Sequence, residues 1–525
     1  MSGYGGLFRS AEEQIQPVDA IISGNIPEWI NGDLIANGPG LFDLKKNFSV
    51  NHWLDGFAIL SKFHIENGKV TFSKRFIQSD AYIKGTAAGN PLYTEFGTKA
   101  YTDPSKSMFQ KMKSYLLPDL TDNVANNLYI IGNTLYGSTD TSVKRIIDPI
   151  TLETRDKVDV AKSTKLDLVA SHVYFDSDGA CYGLGRSLSA GFMTQIFKIP
   201  PEVTPPGQEF SKATILATVP TRHKMGITFT HSLGMTENYL IYIEQPMYMP
   251  GMKLVAAYGK GKSMSECMEW RPKESNRFII IHKLTGEVNP LIFESTQPFF
   301  FFHHINAYEQ DRELIIDILC HESPEVIYKM KLKELRSSDF NLKDKSVARR
   351  FALPLITSFK NIPENKNLLS NYALPKSITA VRKGDKIILT DETLAPPSLE
   401  LPMVNPAYFG KEYTYFYAPG LYDQSEFKNK LVKVDVKTGE VKTWMESTTS
   451  FPCEPCFLPS PNSKSEDDGV LLVNVSETNK ELNSFLVILD AKDLNEIGRA
   501  TLPVHSPFLI HSIFIPESFY SKQRT

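Results

Sequence analysis

Short strand-turn-strand units recur along the whole of this 525-residue chain, and this recurrence limits the possible folds more than any other feature. The clearest unit spans residues 57–77, where two runs rich in Phe, Ile and Val flank the pair Asn67-Gly68. An Asn-Gly pair between two such runs is typical of a type I′ turn in a β-hairpin. Similar units are centred on further turn pairs: Gly132-Asn133, Asp178-Gly179, Thr285-Gly286, Gly384-Asp385 and Thr438-Gly439.

Long helical periodicity is nearly absent between these hairpins, which excludes a doubly wound α/β fold. The exceptions are short stretches at 104–117, 259–270 and 328–336, which we expect to lie on loops. No change in composition divides the chain, so we expect a single domain over residues 1–525. An all-β chain of this length is too large for one sandwich, and a β-propeller of four-stranded blades removes most exposed sheet edges. The sequence therefore predicts a β-propeller, although no repeat motif sets the number of blades.

Composition narrows the functional classes. Hydrophobic residues make up 42% of the chain and aromatic residues 11%, which supports a large packed core. The 57 Lys and Arg residues nearly balance the 60 Asp and Glu residues, which argues against a nucleic-acid partner bound by phosphate neutralisation. The five cysteines are scattered and odd in number, as in a reducing compartment. Because no apolar run is long enough to span a bilayer, we expect a cytoplasmic protein, with membrane contact only at the surface.

Four of the eleven histidines lie at or beside the apolar end of a predicted strand: His172, His231, His303 and His511. Their separations are 59, 72 and 208 residues. If a blade takes roughly 60 to 75 residues, as in a division into about seven blades, these steps equal one, one and three blades. The innermost strands of a propeller converge on its axis, where four blades could each donate one imidazole to a common ion. For each histidine taken alone, a hydrogen bond to a core carbonyl is the alternative.

Four imidazoles without a carboxylate ligand favour iron that reacts with oxygen over structural zinc. Imidazole suits Fe, Cu, Ni and Zn, and four ligands leave two octahedral positions open for O2 and solvent. Structural zinc sites are instead closed and tetrahedral. Each ligating histidine also needs an acceptor for its second ring nitrogen. Three acidic residues in apolar surroundings are candidates, with a solvated surface position as the alternative for each: Asp140, Glu400 and Glu454.

These residues resemble those of the carotenoid cleavage oxygenases, on the animal branch that includes the β-carotene oxygenases, the insect isomerooxygenase and the retinoid isomerohydrolase. The resemblance covers nearly the whole sequence. It rests on several motifs: Asn37-Gly-Pro-Gly-Leu-Phe42, His52-Trp-Leu-Asp-Gly56, Thr94-Glu-Phe-Gly-Thr98, His231-Ser-Leu-Gly-Met-Thr-Glu-Asn238, Glu244-Gln-Pro246, Phe302-His-His-Ile-Asn306, Tyr413-Thr-Tyr415 and Glu466-Asp-Asp-Gly469.

The resemblance implies a seven-bladed β-propeller with a helical and loop cap over an axial Fe(2+). In the family pattern the ligands fall on His172, His231, His303 and His511, and His304 points away. The supporting acids fall on Asp140, Glu400 and Glu454.

Two residues near the predicted metal depart from the family pattern. Asp140 stands where the family normally has glutamate, and Ser512 follows His511 where glycine is usual. Because aspartate is one methylene shorter, its bond to a histidine is expected to lengthen or to pass through water. Losses of this kind typically reduce metal affinity or activity by roughly 10 to 100-fold.

The resemblance also implies contact with a peripheral membrane surface through residues 104–119, which combine Met, Phe and Leu side chains with three lysines. A core-facing helix with a solvated lysine face is the alternative. The implied reaction is that of a non-haem Fe(II) dioxygenase, which uses O2 to cleave a conjugated double bond of a carotenoid or apocarotenoid into aldehyde, retinal-type products. Two other functions remain open: a retinoid isomerohydrolase, which needs no O2, and a non-catalytic carotenoid-binding propeller weakened at Asp140.

Overall fold

The computed structural model describes residues 3–45, 47–103, 107, 120–187, 191–202, 204–253, 261–337, 340, 342–370, 374–420, 429–479 and 483–524. Strands dominate these ranges and the helices are few and short, so the all-β prediction is confirmed. The α-helices are Asp80–Ala88, Ala161–Thr164, Glu325–Lys329, Leu332–Leu335 and Glu517–Arg524. The 3-10 helices are Gly3–Phe8, Trp53–Asp55, Glu209–Lys212, Ser265–Cys267 and Pro406–Tyr408.

In the part of the chain that the structure describes, no helix combines the length and the apolar character needed to cross a membrane.

Seven sheets of four to six strands follow one another along the described chain, and we number them 1 to 7. In hydrogen-bonding order, sheet 1 contains Gln14–Asp19, Lys69–Phe76, Phe57–Glu66, Gly32–Leu41 and His511–Pro516. Sheet 2 contains Thr154–Asp159, Val143–Ile147, Thr134–Ser138 and Asn127–Ile131. Sheet 3 contains Leu168–Phe175, Cys181–Ser187, Met193–Ile199 and Thr214–Val219. Sheet 4 contains Gly234–Met235, Tyr239–Glu244, Arg277–His282, Ile292–Ser295, Lys386–Thr390 and Thr379–Lys383.

The remaining sheets continue this order. Sheet 5 contains Phe300–Gln310, Glu313–His321, Val347–Pro354 and Glu392–Thr393. Sheet 6 contains Met403–Val404, Tyr415–Gly420, Lys430–Asp435 and Val441–Met445. Sheet 7 contains Ile21–Gly24, Glu496–Thr501, Phe485–Asp490, Gly469–Glu477 and Ser450–Pro452, and Cys456–Pro459 also pairs with Gly469–Glu477. Two smaller sheets lie outside the seven: Gly226–Thr228 with Met247–Pro250 and Glu269–Trp270, and Asp43–Leu44 with Phe48–Ser49.

The predicted hairpin at 57–77 is formed by Phe57–Glu66 and Lys69–Phe76. Its turn residues Asn67 and Gly68 have φ values of 50° and 71°, which is the positive-φ pair that a type I′ turn requires. Of the stretches with helical periodicity, one contains an α-helix and another does not. Residues 328–336 do contain Leu332–Leu335, but 261–270 holds only the 3-10 turn Ser265–Cys267 and the strand Glu269–Trp270. Pairing of this strand with Met247–Pro250 overrides a weak local helix preference. Residues 104–106, 108–119, 259 and 260 lie outside the described residues.

Each numbered sheet packs its apolar face against the next. Buried clusters of Leu, Ile, Val, Phe and Tyr join sheets 1 and 2, 2 and 3, 3 and 4, 4 and 5, 5 and 6, 6 and 7, and finally 7 and 1. Burial of one such side chain contributes about 1.5–3 kcal/mol. Each cluster contains side chains from both sheets of its junction, for example Leu60 and Leu135, Tyr136 and Phe197, Tyr182 and Leu240, Phe278 and Phe351, Ile315 and Phe416, Leu431 and Leu471, and Leu486 and Phe63.

Strands from both ends of the described chain share sheets. His511–Pro516 pairs with Gly32–Leu41, with Asn37 opposite His511, and Ile21–Gly24 pairs with Glu496–Thr501. The Nδ2 group of Asn37 donates to the carbonyl of Val124, 2.7 Å away, and so ties this pairing to the start of sheet 2. The strand that carries His511 is therefore held by residues far away in sequence.

A further apolar cluster is built mainly from loops and short elements rather than from the faces of the seven sheets. It brings together Trp53, Met249, Phe300, Ile327 and Ile510. Several of its side chains also line a cavity beside the histidines. This layer therefore supplies the apolar surroundings of the site.

Candidate metal centre

The four histidines singled out in the sequence lie at the edges of four different sheets. His172 is on the first strand of sheet 3, His303 on the first strand of sheet 5, and His511 on the last strand of sheet 1. His231 precedes the first strand of sheet 4 by three residues. The steps from one histidine to the next are one, one and three sheets, as the spacing in the sequence predicts.

Local irregularities accompany two of these histidines. The pairing of Leu168–Phe175 with its neighbour changes register between Val169 and Val173, around His172. In Phe300–Gln310 the register changes on both sides of His304. A bulge re-aims the side chains of the strand that carries it. Phe302 and His303, although adjacent in sequence, can therefore both line the same cavity.

The imidazole rings converge on one point. One ring nitrogen from each of the four histidines lies within 4.8 Å of those of the other three. The Nε2 atoms of His172 and His231 are 3.0 Å apart. Ring centroids are separated by 4.6–5.2 Å and the ring planes are nearly perpendicular, at 76–89°. Ring nitrogens, rather than ring faces, thus meet at a common centre.

Three of the four rings are held from behind by a carboxylate. The Nδ1 atom of His303 lies 2.7 Å from Glu400 Oε2, and that of His511 lies 2.8 Å from Glu454 Oε1. The Nδ1 atom of His231 lies 3.2 Å from Asp140 Oδ2. The shortest of the three acids makes the longest of the three contacts, as the missing methylene of Asp140 predicts.

The acids come from the sheets that carry none of the four histidines. Asp140 follows Thr134–Ser138 of sheet 2, Glu400 precedes Met403–Val404 of sheet 6, and Glu454 lies between two strands of sheet 7. Backbone N–H groups hold two of them from the other side. Ser171 N donates to Asp140 Oδ1 at 2.7 Å, and Ser512 N donates to Glu454 Oε2 at 2.8 Å. Each of the seven sheets therefore supplies one side chain to the centre.

His172 has a different partner. Its Nδ1 atom lies 3.2 Å from Nδ2 of Asn127, the first residue of sheet 2. The same amide group donates to the carbonyl of Ser171, and the Asn127 oxygen accepts from Leu128 N. His172 is thus the one histidine of the four that is positioned without a carboxylate in the described structure.

Burial favours the neutral form of two of these imidazoles, His172 and His303. Burial lowers the pKa of His172 well below its usual value, and the neighbouring histidines lower it further. Burial also lowers the pKa of His303, against the opposing effect of Glu400. Although burial alone would raise the pKa of Glu400, its interactions with His303 and His321 hold it below its usual range. A neutral imidazole whose Nδ1–H donates to a carboxylate has a free lone pair on Nε2.

The donor set fits a metal ion. Nε2 of His303 is buried and has no hydrogen-bond partner among the described residues. An unsatisfied buried nitrogen is costly unless an ion or water completes it. Four imidazoles offer nitrogen ligands that transition metals accept, and the three carboxylates hydrogen-bonded to them offset the charge of a divalent ion. The geometry therefore supports a metal site formed by these four side chains.

His304 is turned away from this centre. Its Nδ1 atom lies 2.8 Å from Ser232 Oγ, and its ring packs edge-on against Phe301. Burial lowers the pKa of His304 to about 3, so this ring is neutral as well. Its neighbours are core groups, and it plays a structural part.

The backbone around Glu400 has an unusual conformation. Ser398 and Leu401 have φ values of 82° and 54°, in a region that residues other than glycine seldom adopt. The N–H of Leu401 donates to Glu400 Oε2 at 2.9 Å. On the other oxygen, the fully buried His321 lies 3.7 Å away. Such conformations persist where surrounding structure enforces them, here to direct Glu400 toward His303.

A largely apolar cavity of about 180 Å³ opens onto the centre. His231, His303 and His511 all contribute to its wall, as do Asp140 and Glu400. The ring of Phe229 lies nearly parallel to His231, with centroids 6.5 Å apart, and Phe302 meets His231 edge-on. Further apolar side chains complete the wall: Trp53, Leu54, Phe96, Leu168, Met249, Met268 and Ile510.

Two supporting residues escape sequence reasoning. Asn127 begins a strand with no metal-ligand pattern, and its role depends on the pairing of sheets 2 and 3. His321 ends a buried strand and bears on the centre only through Glu400. The sequence marks Asn127 and His321 only as polar residues at one end of an apolar run. Many ordinary core residues have the same pattern.

Comparisons with known proteins agree with this geometry. A sequence model described as retinal pigment epithelial membrane protein matches residues 7–516. The β,β-carotene 15,15'-dioxygenase of Gallus gallus is 36% identical over 97% of this chain and 98% of the relative. The mitochondrial carotenoid-cleaving dioxygenase of Mustela putorius furo is 34% identical over 97% and 96%. Cobalt-substituted apocarotenoid oxygenase of Synechocystis shares the fold, with a TM-score of 0.77 at 21% identity over 98% of both chains. The chain belongs to the retinal pigment epithelial membrane protein family, the family of the carotenoid oxygenases.

Proposed function

We propose that this chain is a non-haem Fe(II) dioxygenase that cleaves a conjugated double bond of a carotenoid or apocarotenoid with O2. The observation that carries the proposal is the convergence of four imidazole nitrogens within 4.8 Å at the wall of an apolar cavity. The named activities of the relatives, β,β-carotene dioxygenase and carotenoid-cleaving dioxygenase, support the same reaction.

In this proposal Fe(2+) is the cofactor, and its ligands and catalytic residues are His172, His231, His303 and His511. Asp140, Glu400 and Glu454 orient three of the ligands and balance the charge. Iron(II), when bound, supplies the activation of O2 that an organic side chain does not provide. The chain itself holds Nδ1 of His231, His303 and His511 against carboxylates, which would leave Nε2 of each free for the metal. The same three histidines line the cavity.

The cavity residues hold the polyene and exclude water. Phe229 and Phe302 present rings next to His231 and give an extended apolar substrate a dry surface to pack against. In the overall reaction the double bond breaks and each of its two carbons receives one oxygen atom of O2. The products are two carbonyl compounds, aldehydes of the retinal type, and no other oxidant or reductant is required.

We further infer that the architecture is a seven-bladed β-propeller, formed as a single domain over residues 1–525 with a helical and loop cap over the metal. Support comes from the apolar clusters that join sheets 1 to 7 in order and sheet 7 back to sheet 1. The contribution of one central side chain from every sheet also favours a common axis. The apolar cluster of loops around Trp53 and Ile327 corresponds to the cap.

For the location we propose the cytoplasm, with peripheral attachment to membranes. The segment expected to make this contact, residues 104–119, lies outside the described residues apart from Ser107. Support comes from an exposed pair of methionines: Met225 and Met252 are 65% and 78% exposed. The N–H of Gly251 donates to Met225 O, which holds the two at one end of a strand pair whose Met249 lines the cavity. Exposed apolar side chains beside Lys224 suit an anionic membrane surface.

The test is turnover of the anaerobically purified, Fe(II)-loaded chain with β-carotene and with a shorter apocarotenal. Under isotopically labelled O2 we expect two carbonyl products by mass spectrometry, each carrying label before exchange with water. Absence of any carbonyl product from either substrate, with iron bound, would contradict the proposal.

The same assay without O2 tests the alternative function, that of a retinoid isomerohydrolase. Hydrolysis and isomerisation of a retinyl ester under strict anaerobiosis would identify that activity. Stoichiometric retention of carotenoid without product would instead identify a binding protein, an outcome that the long Asp140 contact of 3.2 Å makes worth measuring.

A further inference from the structure

Arg186 lies in the wall of the cavity and has an unusual environment. It belongs to Cys181–Ser187 in sheet 3, a strand that is buried throughout, and the residue itself is only 5% exposed. Neither Nε nor Nη2 has a hydrogen-bond partner among the described residues, and no acidic oxygen of those residues lies within 4.0 Å. A guanidinium keeps its charge at every physiological pH. Among the described residues, this buried positive charge therefore has no acidic partner within ion-pair distance beside the cavity.

The other buried arginines of the described chain each have the carboxylate partner that Arg186 lacks there. Arg350 is 8% exposed and forms a two-point contact with Asp317, with distances of 2.8 and 2.7 Å. Arg145, which is 6% exposed, binds Asp122 through Nε and Nη2. Both aspartates are themselves buried. Fixed partners are the rule where this fold buries a guanidinium for structural reasons, because an unpaired buried charge is strongly destabilising.

We propose that Arg186 binds the carboxylate terminus of the substrate, so that the preferred substrates are apocarotenoids ending in a carboxylic acid rather than symmetric hydrocarbons. This inference rests on the proposed cleavage function. A carboxylate matches the planar fork of a guanidinium with two parallel hydrogen bonds and supplies the absent negative charge. An aldehyde oxygen accepts hydrogen bonds without a charge, and a hydrocarbon end offers neither. The apolar side chains of the wall, such as Phe96, Phe229 and Met249, suit the polyene.

The position of Arg186 also gives the bound polyene a register. Its Cα is paired with that of Leu168, four residues before His172 on the neighbouring strand. A strand rises by about 3.3 Å per residue, and a bulge lies between Leu168 and His172. Arg186 and His172 are therefore roughly 10–13 Å apart along the strands. A terminus held at Arg186 therefore sets which double bond lies beside the histidines. Acids that differ only at their far end are expected to release the same acid-bearing fragment.

The test compares three substrates of equal polyene length, an apocarotenoic acid, the corresponding aldehyde and a hydrocarbon carotenoid, on the iron-loaded full chain. For the natural chain we expect kcat/KM to fall in that order. Arg186→Met should reduce the ratio of acid to hydrocarbon kcat/KM by roughly 10 to 100-fold, the range for a lost hydrogen-bonded charge. Arg186→Lys keeps the charge without the fork and should give an intermediate ratio.

Thermal unfolding of a matched variant separates recognition from a structural role. Arg350→Met strands the buried Asp317 and should lower Tm, whereas Arg186→Met removes an uncompensated charge and should leave Tm unchanged or higher. A drop in Tm of Arg186→Met that equals the drop of Arg350→Met would overturn the inference. So would an unchanged ratio of acid to hydrocarbon kcat/KM.

Binding measured by absorbance titration distinguishes this inference from the proposed function. If the chain cleaves hydrocarbon carotenoids but binds the acid equally well with Arg186 or Met at this position, the inference fails and the cleavage function stands. If it cleaves none of the three substrates yet binds the acid in an Arg186-dependent manner, the inference stands and the cleavage function fails.

Discussion

The Nδ1 atom of His303 lies 2.7 Å from Oε2 of Glu400, a residue 97 positions further along the chain. The next residue, His304, instead meets the hydroxyl of Ser232. The two adjacent imidazoles therefore have different Nδ1 partners, a carboxylate for His303 and a hydroxyl for His304. This difference provides a matched pair of variants.

His303→Ala is expected to abolish metal binding and turnover, since it removes one of four ligands and leaves Glu400 buried without its partner. His304→Ala should retain the metal and most of the turnover, with a lower Tm because a packed core side chain is lost. Metal content by elemental analysis and product formation provide the measurements. Equal metal content in the two variants would contradict the assignment of His303.

Asp140→Glu is expected to slow metal release, because the longer side chain shortens the 3.2 Å contact to His231. The gain should be up to about tenfold in affinity, the lower end of the effect of supporting residues. Glu400→Asp makes the opposite change at a 2.7 Å contact and should weaken binding by about tenfold or more. Competition with a chelator measures both, and an unchanged release rate in Asp140→Glu would show that the long contact has no consequence.

Asp55 should make stability fall as pH rises. Burial raises its pKa to about 7, against the hydrogen bonds from Thr98 and Gly97, while the unfolded chain titrates near the ordinary value of 3.8. The stabilisation is complete below the unfolded pKa and is lost as pH rises through the folded pKa. Asp55→Asn has no such titration. The free energy of unfolding of the variant, relative to the natural chain, should therefore rise by roughly 2–3 kcal/mol between pH 5 and pH 8.

Chemical denaturation at several pH values measures this difference, and a constant offset from the hydrogen bonds that asparagine cannot make does not affect the slope. A flat difference across that range would mean that Asp55 stays ionised in the folded protein.

Phe301 and Phe302 should respond differently to truncation. Phe301 is fully buried between sheets 4 and 5, so Phe301→Ala should cost about 3–5 kcal/mol and leave the product pattern intact. Phe302 lines the cavity, so Phe302→Ala should widen it next to His231 and alter which products form. Product analysis by mass spectrometry and urea denaturation test the pair. An unchanged product pattern in Phe302→Ala would remove Phe302 from the substrate wall.

Much of this arrangement could be predicted from local sequence. Turn pairs such as Asn67-Gly68 predict the hairpins, because Asn and Gly adopt the positive φ values that a type I′ turn requires. The four histidines stand out because an imidazole at the end of an apolar strand needs a partner, and their spacing repeats with the sheets. The long contact of Asp140 follows from side-chain length alone.

The rest depends on relations between distant residues. Nothing near Asn127 in sequence indicates that sheet 3 brings His172 beside it. In the same way, the sequence around Arg186 gives no sign that its guanidinium lacks the aspartate that Arg350 has, since such partners come from other strands. For the same reason local sequence predicts a helix at Glu269–Trp270, since the strand that pairs with it, Met247–Pro250, is about twenty residues earlier in the chain.

The pairing of His511–Pro516 with Gly32–Leu41 has a consequence for biosynthesis. A ribosome makes His172, His231 and His303 long before it makes His511, so a nascent chain can offer at most three of the four imidazoles. The fourth arrives with the strand that joins the late part of the chain to the early part. The four-imidazole centre is therefore complete only once His511–Pro516 has paired with Gly32–Leu41.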